Sequence, residues 1–177
     1  MDLKAKAILL GNPTVGKTSL LSRYIDNIFP KQYNPTIGAN FLVKGMRIES
    51  HPEIENLSVY WWDLGGQIDK IFLTEYYFVG ANGAMIIFDI TEKDSFKNLE
   101  FWINQIKRNS GDIPFIIVGN KIDKDEHREV KEDVAKKIKN LYNCHYIETS
   151  AKSNLNVDKA FELLIELIIK RYILNQS

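Results

Sequence analysis

The chain has almost no cysteine: Cys144 stands alone among 177 residues. An internal disulfide framework is therefore excluded, and a lone thiol suits a reducing compartment. Excess charge is missing too, since 23 basic side chains face 23 acidic ones. A chain without net charge has no long-range field to steer it toward nucleic acid or an anionic membrane surface. Apolar runs stay below the ~20 residues of a membrane span, and Met1-Asp2-Leu3-Lys4 lacks the features of a secretory leader. Repeats, low-complexity tracts and linkers are absent as well. The expectation is a single soluble, monomeric, cytoplasmic domain over residues 1–177, with a hydrophobic share of 45% to build its core.

What is present is organised around Gly11-Asn12-Pro13-Thr14-Val15-Gly16-Lys17-Thr18. This run follows the apolar Ala7-Ile8-Leu9-Leu10 and leads into a helical pattern from Ser19 to Ile25. A G-x-x-x-x-G-K-[ST] match between a strand and a helix is the context of a phosphate-binding loop. Its glycines let successive N–H groups converge on phosphate oxygens, and the helix N-terminus adds partial positive charge. The bland alternative is a glycine-rich turn that precedes a helix. On the functional reading the loop supplies Gly11, Thr14, Val15, Gly16, Lys17, Thr18 and Ser19 to a nucleotide. Lys17 reaches the β and γ phosphates, and the Thr18 hydroxyl ligates Mg²⁺.

Apolar runs alternate with helical patterns along the rest of the chain. Strands are predicted at 5–10, 84–90, 114–119 and 144–148, and helices at 17–27, 68–79, 95–108, 130–141 and 157–172. Cys144 at the head of the last strand reads as a small core residue. Segments 41–48 and 57–62 follow each other with no helix between them and read as a hairpin. The expected fold is α/β: a mostly parallel six-stranded sheet with one antiparallel edge strand and helices on both faces. In such sheets ligands bind beyond the carboxyl ends of the strands, where the remaining polar clusters fall. Thr36 lies in a loop with two prolines, as a turn hydroxyl or a ligand. Asp63-Leu64-Gly65-Gly66-Gln67 closes a strand, either as an ordinary turn or as a metal-facing carboxylate followed by a water-orienting amide. Asn120-Lys121-Ile122-Asp123 and Glu148-Thr149-Ser150-Ala151-Lys152 each follow a strand and taken singly are weak.

Taken in order, these five pieces resemble the motifs of the Ras superfamily of small GTPases, whose fold is that of the P-loop NTPases. The likeness runs from Lys4 to about Tyr172. Pro35-Thr36-Ile37-Gly38 with Phe41, Trp62-Asp63 and Tyr76-Tyr77 are similar to the Rab branch. Asp63 through Gln67, with Asp69-Lys70-Ile71, resembles the Arf branch. The resemblance implies a GTP/GDP switch with loops at about 28–40 and 63–77. Asp123 would accept from the guanine N1–H and exocyclic amine, and Asn120 would tie that loop to the phosphate loop and to N7. Lys121 and Lys152 would flank the base, Ala151 with Ser150 before it would meet O6, and Phe29 would pack on the base edge-on. Thr36 and Gly66 would sense the γ-phosphate, with Thr18, Thr36 and Asp63 as the Mg²⁺ set. Gln67, Lys17 and Thr36 would form the catalytic group, with Gln67 orienting the attacking water.

The resemblance also implies effectors, exchange factors and GTPase-activating proteins as partners through the two loops. Phe41, Trp62 and Tyr77 match a hydrophobic surface between them, against the plainer reading that all three are packing residues. Membrane trafficking is implied by analogy to Rab proteins. No arginine lies between Ile28 and Asn40, so slow intrinsic hydrolysis is expected. Pro13 departs from the family's small residue, because proline has no N–H to offer and its ring crowds Gln67 or an incoming arginine. The hairpin turn 49–56 is longer than usual and reads as a solvated extension or a partner contact, with His51 as a loop residue. The last helix is more apolar than one buried face needs, through core burial or a membrane or dimer surface. With no C-terminal cysteine and with Asp2 in place of a glycine, no lipid anchor is expected.

Overall fold

The computed structural model describes residues 1–30, 32, 34–68 and 75–176. Among the described residues six strands run in chain order: β1 (Asp2–Leu10), β2 (Ala39–Arg47), β3 (Asn56–Leu64), β4 (Gly83–Asp89), β5 (Phe115–Asn120) and β6 (His145–Glu148). They form one sheet in the order β2-β3-β1-β4-β5-β6. Only β2 runs antiparallel, along β3; β1 pairs in parallel with both β3 and β4. The expected architecture is therefore present, edge strand included. The helices are α1 (Lys17–Asp26), α2 (Lys93–Lys97), α3 (Leu99–Asn109), α4 (Glu132–Tyr142) and α5 (Val157–Leu174).

The central strands are apolar on both sides because both sheet faces are covered. On β1, Ala5, Ala7 and Leu9 join one core beneath α1 and α5, whereas Ile8 and Leu10 join the other beneath α3 and α4. β4 divides the same way, with Met85 and Ile87 on the first side and Ala84, Ile86 and Phe88 on the second. The two tryptophans of β3 also part: Trp61 is fully buried in the first core, and Trp62 packs half-buried against the second. α5 accounts for its excess of apolar residues through core burial. Seven of its side chains are buried, from Val157 to Ile169, and Leu163, Leu167 and Ile173 pack partly buried beside them.

Four expectations need correcting. The helix expected over 95–108 is two helices, because Asn98 adopts φ −80°, ψ 0° and interrupts it. A tertiary contact falls at the break: the Asn98 amide donates to the Asn12 side chain of the phosphate loop at 3.3 Å. The helix expected over 68–79 has its 69–74 portion outside the described residues, and Glu75–Phe78 is a single 3₁₀ turn. Cys144 is buried but precedes β6 instead of opening it, and burial raises its thiol to about 11. The 49–56 turn is no mere solvated extension. Ile54 in its middle is fully buried in the α1/α5 core, and the N-terminal ammonium donates to the Glu53 carbonyl at 3.0 Å.

Candidate functional site

A cleft of about 330 Å³ opens at the carboxyl ends of the strands. Its lining draws on all five motifs read from the sequence: Pro13, Thr14 and Gly16 to Ser19 with Phe29, then Thr36, Gly66 with Gln67, Asn120, Lys121 and Asp123, and Ala151 with Lys152. The phosphate loop leaves β1 and curls through Gly11 (φ 139°), Thr14 (φ 66°) and Gly16 (φ 101°) before α1 begins. Gly16 is required there, since a Cβ would stand 2.3 Å from the Asn120 amide nitrogen. Gly11 is required for a different reason: its Cβ would collide with the Ile87 carbonyl at 2.1 Å.

Lys17 lies at the cleft floor, only 6% exposed, and donates to the carbonyls of Gly11 (2.9 Å) and Asn12 (2.8 Å). Burial lowers its pKa to about 8, with attraction to Asp63 pulling the other way. A buried ammonium bonded to neutral carbonyls favours an anion beside it. Beside it stand three oxygen groups. Thr18 Oγ1 lies 3.1 Å from Thr36 Oγ1, and both donate to Asp63 Oδ2, at 2.5 Å and 3.3 Å. Asp63 is fully buried and its Oδ1 has no hydrogen-bond partner among the described residues. Burial raises its pKa, and hydrogen bonds from Thr18 and Thr36 with the charge of Lys17 only partly offset this. An orphaned carboxylate oxygen amid two hydroxyls is a hard-oxygen donor set that fits Mg²⁺.

The two loops that flank this corner touch each other. Gly65 N–H donates to the Gly38 carbonyl at 2.8 Å. A Cβ on Gly66 would lie 2.4 Å from the Gly11 carbonyl oxygen and 2.5 Å from Pro13 N, so the second loop is seated directly on the phosphate loop. Gln67 lines the cleft, yet its Oε1 is turned to within 2.9 Å of where a Gly65 Cβ would stand.

At the other end, Asn120 is buried and joins three segments. It donates to the Val15 carbonyl (2.9 Å) and accepts from Thr149 Oγ1 (3.1 Å) and Ala151 N–H (3.3 Å). Asp123 is held at the mouth by Ser150 Oγ, which donates to its Oδ1 at 2.6 Å. Lys121 (φ 72°) pairs with buried Asp89 at 2.6 Å. Gly11, Val15, Asp63 and Ser150 do not line the cleft; they are buried directly behind it. Phe41, Trp62 and Tyr77 form a continuous ring series, with centroids 5.2 Å and 5.3 Å apart, and Phe41 is 51% exposed.

Sequence reasoning missed Pro30, Gln32, Asn34 and Lys124, which complete the lining. Lys124 had a signal in its adjacency to Asp123; the other three had only their place in the loop before Thr36. It also missed Asn12, whose Oδ1 accepts from the Trp102 indole at 3.2 Å and ties the phosphate loop to α3.

The Ras family model matches residues 6–170. The Ras-related protein RabJ of Dictyostelium discoideum is 37% identical over 97% of this chain, which spans 66% of that relative. Rab-13 of Bos taurus is 35% identical over 93% of this chain and 79% of the relative. RABA6b of Arabidopsis thaliana is 36% identical over 93% of the chain and 70% of the relative. Ras-family members hydrolyse GTP to GDP, use Mg²⁺ with these nucleotides, and act through regulators and effectors. The chain belongs to the Ras family of small GTPases, in its Rab branch.

Proposed function

We propose that residues 1–177 act as one switch domain that binds GTP or GDP in this cleft and hydrolyses GTP slowly. The observation that carries the reading is the corner formed by Lys17, Thr18, Thr36 and Asp63, with Gly66 seated against the phosphate loop. The phosphates lie along the N–H groups from Thr14 to Ser19, and Lys17 neutralises their outer charge. Thr18, Thr36 and Asp63 would hold Mg²⁺, which when bound would supply charge neutralisation on the phosphate oxygens. The Thr36 and Gly66 N–H groups read the γ-phosphate, and its loss frees both loops. Guanine lies between the Lys121 and Lys152 stems, with Phe29 at its edge and Asp123 accepting its N1–H and amine. Adenine would leave that acceptor unpaired, at a cost of about 1–3 kcal/mol.

Hydrolysis depends on Gln67 orienting a water, and the present turn of its carboxamide toward Gly65 supports a slow intrinsic rate. Pro13 offers no N–H at the γ edge. A partner's arginine, worth roughly 10³–10⁵ in rate, would supply the missing charge. Effectors and regulators dock on the two loops and on Phe41, Trp62 and Tyr77, where exposed Phe41 extends a ring series that Trp62 and Tyr77 anchor to the core. A role in membrane trafficking follows by analogy with Rab proteins; no helix among the described residues is long and apolar enough to cross a membrane.

Extraction of nucleotide from the purified protein, followed by timed single-turnover hydrolysis, tests this. Guanine nucleotide should be recovered, GTP but not ATP should displace it, and turnover should lie far below one per second. Displacement by ATP as readily as by GTP would sink the base assignment. Gly66→Ala should weaken GTP binding more than GDP binding, because the methyl group pushes the second loop off the phosphate loop.

A further inference from the structure

The side chain of Arg23 lies outside the cleft and belongs to none of the five motifs, yet it bonds to the backbone of one of the cleft walls, the Ala151–Lys152 loop. It sits half-buried in the last turn of α1, the helix that starts at the phosphate loop. Its Nε donates to the Ala151 carbonyl at 3.0 Å and its Nη2 to the Lys152 carbonyl at 3.2 Å. Its Nη1 donates to the Asn27 carbonyl at 2.9 Å and reaches the Asn27 side-chain oxygen at 3.4 Å. Asn27 in turn closes α1 in a left-handed conformation (φ 56°), its N–H on the Arg23 carbonyl, two residues before Phe29.

An arginine in the last turn of a helix ordinarily needs no explanation beyond capping the final carbonyls. Here capping accounts for Asn27 alone. Ala151 and Lys152 are 128 and 129 positions away in sequence; on the reading above Lys152 flanks the base and Ala151 meets its O6. A guanidinium presents its donors in one rigid plane, so two adjacent carbonyls on one edge and a third on the other are fixed relative to each other. Three walls thus meet on one side chain: the phosphate-loop helix, the base-reading loop, and the start of the first switch loop behind Phe29.

We propose that Arg23 is a positioning residue for guanine recognition, a clasp that sets how fast the bound nucleotide leaves. It touches neither base nor phosphate. It holds the Ala151–Lys152 backbone where the base is read and keeps the hinge at Asn27 from swinging Phe29 outward. The inference rests on the assignment of this cleft to a guanine nucleotide. Opening of the clasp and loosening of the base are then one event, so anything that draws the start of the first switch loop outward also loosens the base loop.

The test compares Arg23→Met and Arg23→Lys with the wild type, loaded with fluorescent GDP and Mg²⁺. Release rates are measured together with competition by GDP and by inosine diphosphate, which lacks the exocyclic amine. Ser150, next to Ala151, holds the Asp123 carboxylate that reads the exocyclic amine, so Arg23→Met should release GDP about tenfold faster and narrow the preference for GDP over inosine diphosphate by a similar factor. Arg23→Lys keeps the charge and stem without the fork, and should release about threefold faster. It also serves if Arg23→Met does not fold. A purely structural role would weaken both diphosphates equally; that result, or an unchanged release rate in both variants, overturns the proposal. A wild type that prefers neither guanine nor inosine over adenine diphosphate overturns instead the base assignment beneath it.

Discussion

Two buried side chains show how differently single residues serve this molecule. Asn120, 1% exposed, satisfies one acceptor on the phosphate loop and two donors on the loop after β6, so it can be removed only at the expense of all three bonds. Asn120→Ala should speed GDP release about 100-fold, measured by displacement of fluorescent GDP; a change under threefold would show that Thr149 and Gly16 hold the walls unaided. Trp61 is the reverse case. Its indole N–H is buried without a hydrogen-bond partner among the described residues, between the Tyr24 and Phe161 rings at 5.8 Å and 4.8 Å. Large core truncations typically cost about 3–5 kcal/mol, but Phe keeps most of the ring and removes the orphaned donor. Trp61→Phe should therefore cost no more than about 1 kcal/mol in urea unfolding, and a loss above 3 kcal/mol would mean that the N–H is satisfied by one of those ring faces.

Elements owe their positions to contacts that lie far off in sequence. The β2–β3 turn is the clearest example, because Ile54 fills the α1/α5 core while its neighbours pair with the first residue of the chain. Ile54→Ala should cost about 2–4 kcal/mol in chemical denaturation and leave GDP release unchanged, since the turn lies at the opposite end of β3 from Asp63. A cost under 0.5 kcal/mol would return the turn to a solvated extension. A distant contact also falls between α2 and α3: their joint at Asn98 meets Asn12 on the phosphate loop, and nothing in their own hydrophobic spacing marks it.

At the scale of the whole molecule, a charged network outside the cleft couples stability to pH. Arg128 forks onto Glu148 with two contacts of 2.8 Å and reaches Asp125 at 2.6 Å, while Tyr146 donates to Glu148 at 2.6 Å. Burial pushes the Glu148 carboxyl up, but the Arg128 and Tyr146 hydrogen bonds outweigh it and leave the pKa below the usual 4.5. A depressed carboxyl binds protons more readily in the unfolded chain, so its contribution is fully present above about pH 4.5 and lost as pH falls through the folded value. Glu148→Gln should cost about 1–3 kcal/mol at pH 7. It should also flatten the acid side of the stability curve, measured by urea unfolding from pH 3 to 7. An equally steep acid loss in the variant would place the titrating group elsewhere.

The sequence by itself determined the order of strands and helices, the glycine, lysine and threonine of the phosphate loop, and the residue types gathered at the strand ends. These are local matters: period, turn chemistry, and the need for a positive φ or a bare backbone at Gly11 and Gly16. Tertiary structure alone decided which residues line the cleft and which brace it from behind, such as Val15, Asp63 and Ser150. It also recruited Asn12, Arg23 and Ile54, whose partners lie from one end of the chain to the other. Spacing along a chain records which face a residue turns to its own element. It carries no record of what a folded sheet brings opposite that face, and the geometry of this site is set there.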